Sequence, residues 1–597
     1  MGSGDAAVTL PPISSPRPLP KIRPIDDFLI LGIVAAVFGR TLGFGFVDWD
    51  DLIYTITNPL VKHPLSEGPA HLLLTPRMGY PVPLTVILRH LAFRVGGGDA
   101  WPFHLSNLLF QGGSALLAAR LLAGWGLARR AAVAAAALWA VHPIVVEPVA
   151  WVTGGKDVVA GTFMLAGLLA FRRTAEADGG RTEGAWAAGF VVANVLGIAA
   201  KPTAAILPVL AVAEALVFRR RLRRPLIAAL AVSFAVAVAG AVAAYLLHDR
   251  HGGHPVRPLG DRLLFATQHL ALQLRHYAAP VALAARYPEG FPRPLASAWG
   301  AAGIAALGGF VVAGAAALRR RTAAPLWLWP LGLLTIAFLP ASGVLALSRG
   351  SSDSYFYLPS LALAAAVALG GERLCRGRRL LASGWPMAAL VAVLAFASFV
   401  QTGVWRSSLS LWTRQVEVYP DSDESWVNYG DALIEAGRIR DAMAAYEHLL
   451  ARFPYPPPDV SPLLNLGQGW SVLGDGARAT RWYGEVVRHY PLTPARALRL
   501  IGAAAVHTDA RYEGEARRAR NLIERSLSEI AAAPPAERDA RTRAFFDHHL
   551  SADRLALAAL RVLVADARLG GVAALLLDIG RSTPPVTNRR RQMTAPR

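Results

Sequence analysis

Long apolar runs recur along this chain and restrict its fold more than any other feature. A run of roughly 20 residues is long enough to cross the hydrocarbon core of a bilayer as a helix, a distance of about 30 Å. Such runs begin near Phe28 and recur to about residue 404. Hydrophobic residues make up 54% of the 597 residues, a larger share than soluble domains contain. The sequence therefore predicts an all-α, polytopic membrane domain with about eleven spans.

The positions of the arginines indicate how these spans are oriented across the membrane. A net charge of +20 suggests nucleic acid in a soluble protein, but here short arginine clusters separate the apolar runs, as in cytoplasmic loops. With the N-terminus in the cytoplasm, every cluster falls on the cytoplasmic side. We therefore expect no nucleic-acid partner, and we expect the lipid bilayer to surround the spans. The predicted spans are 28–46, 103–123, 131–149, 157–172, 186–200, 202–218, 226–247, 298–318, 326–345, 357–372 and 384–404.

Two further apolar stretches carry polar residues at helical spacing. Residues 70–95 and 262–287 contain His, Arg and Gln among apolar residues, which indicates amphipathic helices at the outer interface. Whether 262–287 crosses the bilayer stays open. Unusual polar residues collect in the outer loops, so we expect the chemistry on the extracytoplasmic face.

A repeat follows the membrane domain. Residues 426–454 and 463–491 fit one template, in which two antiparallel helices cross at small residues and an aromatic fills the gap, as in the tetratricopeptide repeat. We predict repeats at about 423–456 and 460–493, with degenerate helices after them. Stacked repeats form a concave surface suited to peptides. The equivalent positions are Trp426, Gly430, Ala442, Tyr446 and Pro454 in the first copy and Leu463, Gly467, Ala479, Tyr483 and Pro491 in the second.

These patterns predict four regions. A disordered cytoplasmic N-terminus precedes the transmembrane domain with its outer-face loop 47–102, and an extracytoplasmic repeat domain precedes a disordered tail. The predicted bounds are 1–26, 27–405, 406–580 and 581–597.

The stretch FVDWDD, residues 46–51, places three carboxylates beside an apolar run. A charge near a membrane helix is costly and needs a reason. Each aspartate alone is explained as a solvated loop residue, but together they stand among aromatic side chains and ahead of Asn58-Pro59. The loop is therefore our first candidate for a site.

A family resemblance rests on four blocks in order: FVDWDD, HPIVVEPVAWVTGGKDV (142–158), AKP (200–202) and SSDSYFYLP (351–359). With these blocks the chain resembles bacterial membrane proteins that carry C-terminal tetratricopeptide repeats. Those proteins are related to the animal transmembrane-and-tetratricopeptide O-mannosyltransferases and, more distantly, to the protein O-mannosyltransferases. The resemblance covers roughly residues 28–500 and implies a GT-C-like transmembrane fold in a bacterial inner membrane.

The resemblance also implies a reaction. A sugar, mannose or another hexose, would pass from a polyprenyl phosphate to an acceptor hydroxyl, Ser or Thr of a polypeptide that the repeats bind. It implies an acidic pair in the first outer loop, which maps onto Asp50 and Asp51. One carboxylate would accept the proton of the acceptor hydroxyl. Asp48 is the weaker candidate, because related members resemble FVNYDD and have an amide there.

The departing phosphate requires cations. Lys156, Lys201 and Arg349 are the candidates, with interfacial snorkelling as the alternative reading of the two lysines. His142 is favoured as a hydrogen-bonded structural residue, and Asp157 either pairs with Lys156 or approaches the site. Related members often have an Arg-Tyr pair where this chain has Asp353-Ser354-Tyr355. The supporting candidates are Asp48, His142, Glu147, Asp157, Asp353 and Tyr355.

Paired carboxylates can hold Mg²⁺ or Mn²⁺. The sequence shows no cluster of His and Asp residues with the spacing of metal ligands, so we expect neither a metal nor a cofactor. Two other functions remain as alternatives. The chain could be a membrane-anchored repeat scaffold without enzymatic activity. It could also be a transporter of lipid-linked sugars, although such proteins usually show charge within helices and repeats of topology.

Overall fold

The computed structural model describes residues 21–76, 79–249, 258–287, 292–319, 324–344, 350–375 and 384–490, with a few positions between 525 and 537. All regular elements in these ranges are helices, which confirms the predicted all-α class. Arg349, the predicted N-terminal disorder up to residue 20, and most of the predicted chain after residue 490 lie outside the described residues.

The chain divides into two compact units between Tyr419 and Pro420. The sequence placed its domain boundary earlier, at 405/406. The α-helices of the first unit are α1 (Pro24–Phe38), α2 (Asp51–Tyr54), α3 (Pro59–Lys62), α4 (Pro69–Leu74), α5 (Pro83–Gly96), α6 (Trp101–Gly124), α7 (Arg129–Ala140), α8 (Val146–Ala150), α9 (Gly155–Glu176), α10 (Gly180–Ala200), α11 (Leu207–Val217), α12 (Arg224–Asp249), α13 (Leu259–Ala278), α14 (Ala298–Arg319), α15 (Ala324–Phe338), α16 (Pro359–Cys375), α17 (Trp385–Thr402) and α18 (Ser408–Val418).

Each predicted span overlaps one helix or two consecutive helices. Among the described residues, five helices are long and apolar enough to cross a membrane by length and composition, and a bent pair would make a sixth. The amphipathic prediction for 262–287 corresponds to α13. The prediction of one helix over 70–95 was wrong, since α4 and α5 are separate there. The proline at 83, the first residue of α5, begins a new helix because it lacks an N–H group.

The predicted span 131–149 is broken in the middle. Helix α7 ends at Ala140, and the chain bends by 52° before the segment Pro143–Ala150. His142 is extended (φ −69°, ψ 138°), because a following proline disfavours helical backbone at that position. The break turns the chain back toward the start of α9, and this turn carries part of the candidate site.

Two ion pairs hold one end of α1. Arg129 donates to both oxygens of Asp26 at 2.7 Å. Arg120 in α6 donates to both oxygens of Asp27 at 3.0 and 2.7 Å. Helix α1 has 15 residues and is therefore about 22 Å long. These pairs consequently lie far from the three aspartates of FVDWDD, which follow the other end of the helix.

The second unit contains four described α-helices, α19 (Asp423–Glu435), α20 (Ile439–Arg452), α21 (Ser461–Val472) and α22 (Gly476–His489). A Cβ atom at Gly430 would lie 2.4 Å from the Tyr446 ring, and one at Gly467 would lie 2.7 Å from the Tyr483 ring. Each helix pair thus depends on a glycine to admit the aromatic ring of its second helix.

The orientation can be tested with cysteine labelling. We expect a Leu65→Cys variant in a Cys375→Ser background to react with a membrane-impermeant maleimide in intact cells. Leu65 is 63% exposed and belongs to the predicted outer loop. In the unaltered chain, the single native cysteine should react only after permeabilisation, because it lies in an arginine-rich segment. The opposite labelling pattern would contradict the predicted orientation.

Candidate active site

Residues 45–51, which we call the acid loop, end with Asp51, the first residue of α2. Both oxygens of the Asp51 carboxylate accept hydrogen bonds. Asp51 is 1% exposed. Its Oδ1 accepts hydrogen bonds from the Thr153 N–H at 2.9 Å and from the Thr153 hydroxyl at 2.7 Å. Its Oδ2 accepts a hydrogen bond from the Val47 N–H at 3.1 Å. Asp51 therefore joins the acid loop to the turn that precedes α9.

Arg89 of α5 binds the same junction. Its Nη1 donates to the Tyr54 carbonyl at 3.0 Å and its Nη2 to the Thr153 carbonyl at 3.3 Å. Burial raises the pKa of Asp51 to about 6, although the Thr153 and Val47 hydrogen bonds and the Arg89 charge act against this rise. Burial also lowers the pKa of Arg89 to about 10, opposed by the nearby Asp51 and Asp50 charges. Both shifts follow from desolvation of the charged form.

Asp50 differs from its neighbour. Its side chain is partly exposed, and no described residue forms a hydrogen bond or an ion pair with its carboxylate. It lies near enough to Arg89 and Lys156 for the charges to interact. Of the predicted acidic pair, one carboxylate is thus a buried anchor and the other is available to a ligand.

Two glycines allow the Thr153 turn to form. A Cβ atom at Gly154 would lie 2.9 Å from the Cα atom of Pro148, and one at Gly155 would lie 1.9 Å from the Asn107 side chain. Asn107 in turn donates to the carbonyl groups of Val149 and Trp151 at 3.2 and 3.0 Å. This close packing fixes the start of α9 and hence Lys156.

Lys156 borders a cleft between α5, α6 and α9. Arg89 and Lys156 are its charged lining residues. The Lys156 ammonium donates to the Thr153 carbonyl at 3.2 Å and lies 5.3 Å from the centre of the Trp151 ring. The rest of the lining is mainly apolar and includes Leu88, Phe103 and Val159. The cleft therefore offers positive charge beside an apolar wall.

Lys201 is engaged elsewhere. It forms a buried ion pair with Asp157, and its ammonium lies 5.2 Å from the centre of the Tyr355 ring. The sequence left open whether Asp157 pairs with Lys156 or approaches the site; in the structure its ion-pair partner is Lys201 instead. Lys156 is therefore the predicted lysine that remains available at the cleft.

Glu147 and Asp353 form a second buried cluster. Glu147 accepts hydrogen bonds from the Ser352 hydroxyl at 2.7 Å and from the Asp353 N–H at 3.1 Å. Asp353 accepts a 2.8 Å hydrogen bond from the Tyr287 hydroxyl and lies 3.3 Å from His276 Nδ1. All five side chains are buried. The cluster joins the broken helix, α13 and the loop that carries Tyr355, so its geometry supports a structural role.

His142 and Asp48 take no part in the group around Asp50. The His142 ring lies parallel to that of Tyr277, with centroids 4.1 Å apart, and its Nδ1 accepts a hydrogen bond from the Ile144 N–H at 3.2 Å. These contacts support the structural interpretation of His142. Asp48 is exposed, and its backbone N–H donates to the Ser408 hydroxyl at 2.8 Å.

Arg89 and Thr153 lie at the site but were not predicted from the sequence. Arg89 interrupts the apolar stretch LTVILRHLAF, and a buried arginine in such a stretch is a signal that could have been used. Thr153 lies within the VTGGKD block but has no charge to attract notice. Among the described residues, no group of three or more His, Cys, Asp or Glu side chains is placed to hold a metal ion.

Comparison with known proteins places this chain near the O-mannosyltransferases. It is 28% identical over 165 residues to the human Protein O-mannosyl-transferase TMTC3 and 31% identical over 166 residues to the Drosophila melanogaster Protein O-mannosyl-transferase Tmtc2. Each match covers 25% of this chain and 17% of the relative. No family model matches the chain. The chain therefore has distant, partial homology to these transferases.

The buried carboxyl of Asp51 predicts a pH-dependent stability. Its pKa rises from 3.8 to about 6 on folding, so the folded state holds the proton more tightly. The contribution of Asp51 to the free energy of unfolding should therefore be most favourable below pH 4. It should fall by up to ~3 kcal/mol as the pH rises to about 6. An Asp51→Asn variant lacks this titration, so its unfolding free energy should depend less on pH.

Unfolding in detergent between pH 4 and pH 7 measures this effect. Asp99→Asn is the matched control, because Asp99 is exposed and its loss should leave the pH dependence as in the wild type. Parallel curves for the wild type and Asp51→Asn would show that the Asp51 carboxyl does not titrate in this range.

Proposed function

We propose that this protein is a membrane glycosyltransferase of the GT-C class. It moves mannose or another hexose from a polyprenyl-phosphate donor to the hydroxyl of a Ser or Thr residue in an acceptor polypeptide. The reaction takes place on the extracytoplasmic face of a bacterial inner membrane. The homology to O-mannosyltransferases and the apolar helices support the coarser part of this proposal, a glycosyltransferase-like membrane protein.

One observation carries the assignment of the site. The Asp50 carboxylate has no hydrogen-bond or ion-pair partner among the described residues, while its neighbour Asp51 accepts three hydrogen bonds from Val47 and Thr153. A carboxylate that is held in place but unpaired can accept a proton from a ligand. We therefore assign Asp50 as the general base and Asp51 as the residue that positions it.

The proposed transfer is a single substitution at the anomeric carbon of the sugar. The Asp50 carboxylate accepts the proton of the acceptor hydroxyl, and the acceptor oxygen forms a bond to the anomeric carbon. The bond from that carbon to the phosphate oxygen breaks, and the polyprenyl phosphate leaves with the electron pair. A phosphate is already a good leaving group, so a second carboxylate acting as general acid, as in glycosidases, is not required.

Cations of the chain would stabilise the phosphate. Lys156 and Arg89 line the same cleft, and the apolar part of its wall suits the first carbons of a polyprenyl chain. Charge placed where negative charge develops lowers the barrier to transfer. The proposal accordingly needs neither a divalent metal nor another cofactor, and the lipid-linked sugar is a substrate.

The second unit would bind the acceptor polypeptide. Its two helix pairs share the same glycine–tyrosine contact, which is consistent with stacked repeats that present a common face. We propose an extracytoplasmic location for this unit, which would place the acceptor on the same side of the membrane as the acid loop.

Asp50→Asn tests the proposed base. The change keeps the shape of the side chain but removes proton acceptance, so we expect transfer to fall by about 10²-fold or more while the purified protein stays folded. The measurement is transfer of radiolabelled mannose from polyprenyl-phosphate mannose to a Thr-containing peptide by purified full-length protein.

Asp99→Asn is again the control, because it removes an exposed carboxylate outside the site and should transfer mannose like the wild type. A wild-type rate in Asp50→Asn would refute the assignment of the base. Absence of transfer by the wild type, with all polyprenyl-phosphate hexoses tried, would count against the proposed function itself.

The two lysines near the cleft should respond differently to the same change. We expect Lys156→Met to raise the KM for the donor about tenfold, since about 1.4 kcal/mol of phosphate binding would be lost, with little change in stability. Lys201→Met leaves Asp157 buried and unpaired, so it should destabilise the fold by about 3–5 kcal/mol. Steady-state kinetics and unfolding in detergent measure the two effects.

A Lys201→Met, Asp157→Asn double variant provides the check. It removes the uncompensated charge and should recover much of the lost stability. If Lys201→Met instead raised the KM for the donor as Lys156→Met does, without loss of stability, Lys201 would be a phosphate ligand and our division of roles would be wrong.

A further inference from the structure

The chain after α17 folds back onto the acid loop. We call residues 403–418 the connector; it comprises the 3₁₀ turn Gly403–Arg406 and α18. The Ser408 hydroxyl accepts a 2.8 Å hydrogen bond from the Asp48 N–H. The carbonyl group of Arg406 accepts a 3.3 Å hydrogen bond from the Gly45 N–H. The connector therefore binds the backbone of the acid loop at two points.

Aromatic packing adds a third contact. The Trp49 ring stacks on that of Trp151, with centroids 5.0 Å apart and planes at 16°. The Trp412 ring of α18 contacts the Trp49 ring edge-on, with centroids 5.7 Å apart and planes at 69°. The Trp405 ring stacks on that of Trp151, with centroids 5.6 Å apart. Trp405 and Trp412 are 2% and 1% exposed. Trp49 is consequently held between the turn that precedes α9 and the connector.

The connector is itself fixed to other parts of the unit. The Gln415 amide donates to the Arg286 carbonyl at 2.8 Å and accepts from the Arg286 N–H at 3.1 Å. Arg414 donates to the Val281 carbonyl at 3.0 Å. Because these contacts do not involve the acid loop, α18 provides a fixed surface against which Trp49 and Asp48 rest.

We propose that Ser408 and Trp412 are positioning residues that hold Asp50 in place, an inference that rests on the proposed function. Asp50 lies between Trp49, which packs on the connector, and Asp51, which Thr153 and Val47 anchor. No residue in the described part of the chain orients its carboxylate through a hydrogen bond or an ion pair. Its position therefore depends on the two flanking residues, and the connector fixes one of them.

Positioning of this kind acts on the rate more than on substrate binding. A displacement of about 1 Å between a base and its substrate can cost about 10²-fold in rate, whereas the cleft that would hold the donor phosphate has no residue of the connector in its lining. Loosening the connector contact should therefore lower kcat and leave the KM for the donor nearly unchanged.

Three variants of the full-length protein test the proposal. Trp412→Leu removes the aromatic contact, and we expect kcat for mannose transfer to fall about tenfold. Ser408→Ala removes one hydrogen bond and should lower kcat about threefold, with little risk to folding. Trp412→Phe keeps an aromatic edge against Trp49 and should recover most of the activity. Hydrogen exchange of peptides covering residues 45–54 should increase in Trp412→Leu and Ser408→Ala.

Glu417→Ala is the matched control. It removes an exposed side chain of the same helix that takes no part in the contacts described above, so it should leave kcat and the exchange of residues 45–54 unchanged. Folded Ser408→Ala and Trp412→Leu proteins with wild-type kcat and wild-type exchange in residues 45–54 would overturn the proposal. If the wild type transferred no sugar, the proposed function would fail, while the exchange measurement would still decide whether the connector orders the acid loop.

Discussion

The hydrogen bonds between Asp51 and Thr153 are the constraint on which the rest of the candidate site depends. They tie the acid loop to the turn before α9 across about a hundred positions of sequence. The same turn carries Lys156 and presents its carbonyl group to Arg89. One buried carboxylate thus fixes the position of an acidic loop relative to two cations, although desolvation makes that carboxylate costly to ionise.

Charged residues serve two purposes in the first unit. At one end of α1, Asp26 and Asp27 are each satisfied by an arginine, and the Lys201–Asp157 pair is satisfied in the same way. Asp50 differs from these aspartates, because described residues leave its carboxylate without a partner. Its side chain is partly exposed, so water can solvate it, and it lies near enough to Arg89 and Lys156 for the charges to interact. This combination of an accessible carboxylate and nearby cations is the reason that we propose a ligand-binding role for Asp50.

The sequence predicted the helices and the location of the polar blocks, because apolar periodicity and charge at the ends of apolar runs are local properties. It could not distinguish Asp50 from Asp51, since the difference lies in a contact with Thr153. It likewise could not assign Lys201 to Asp157. The predicted domain boundary at 405/406 placed α18 in the repeat domain. Amphipathic helices have similar sequence patterns whichever surface they pack on, so the pattern could not show where α18 belongs. Long-range contacts decided each of these points.

The connector suggests why the membrane domain does not end with its last apolar helix. The proposed base, Asp50, does not order the loop through contacts of its own carboxylate with described residues, so the order must come from its neighbours. On one side of Asp50, the buried Asp51 carboxylate orders the loop through hydrogen bonds. On the other side, the packing of Trp49 and the hydrogen bond to the Ser408 hydroxyl order it. Hydrogen bonds and aromatic packing restrict the backbone without neutralising a charge, so they can hold Asp50 in position while its carboxylate stays open to a substrate, as the proposed function requires.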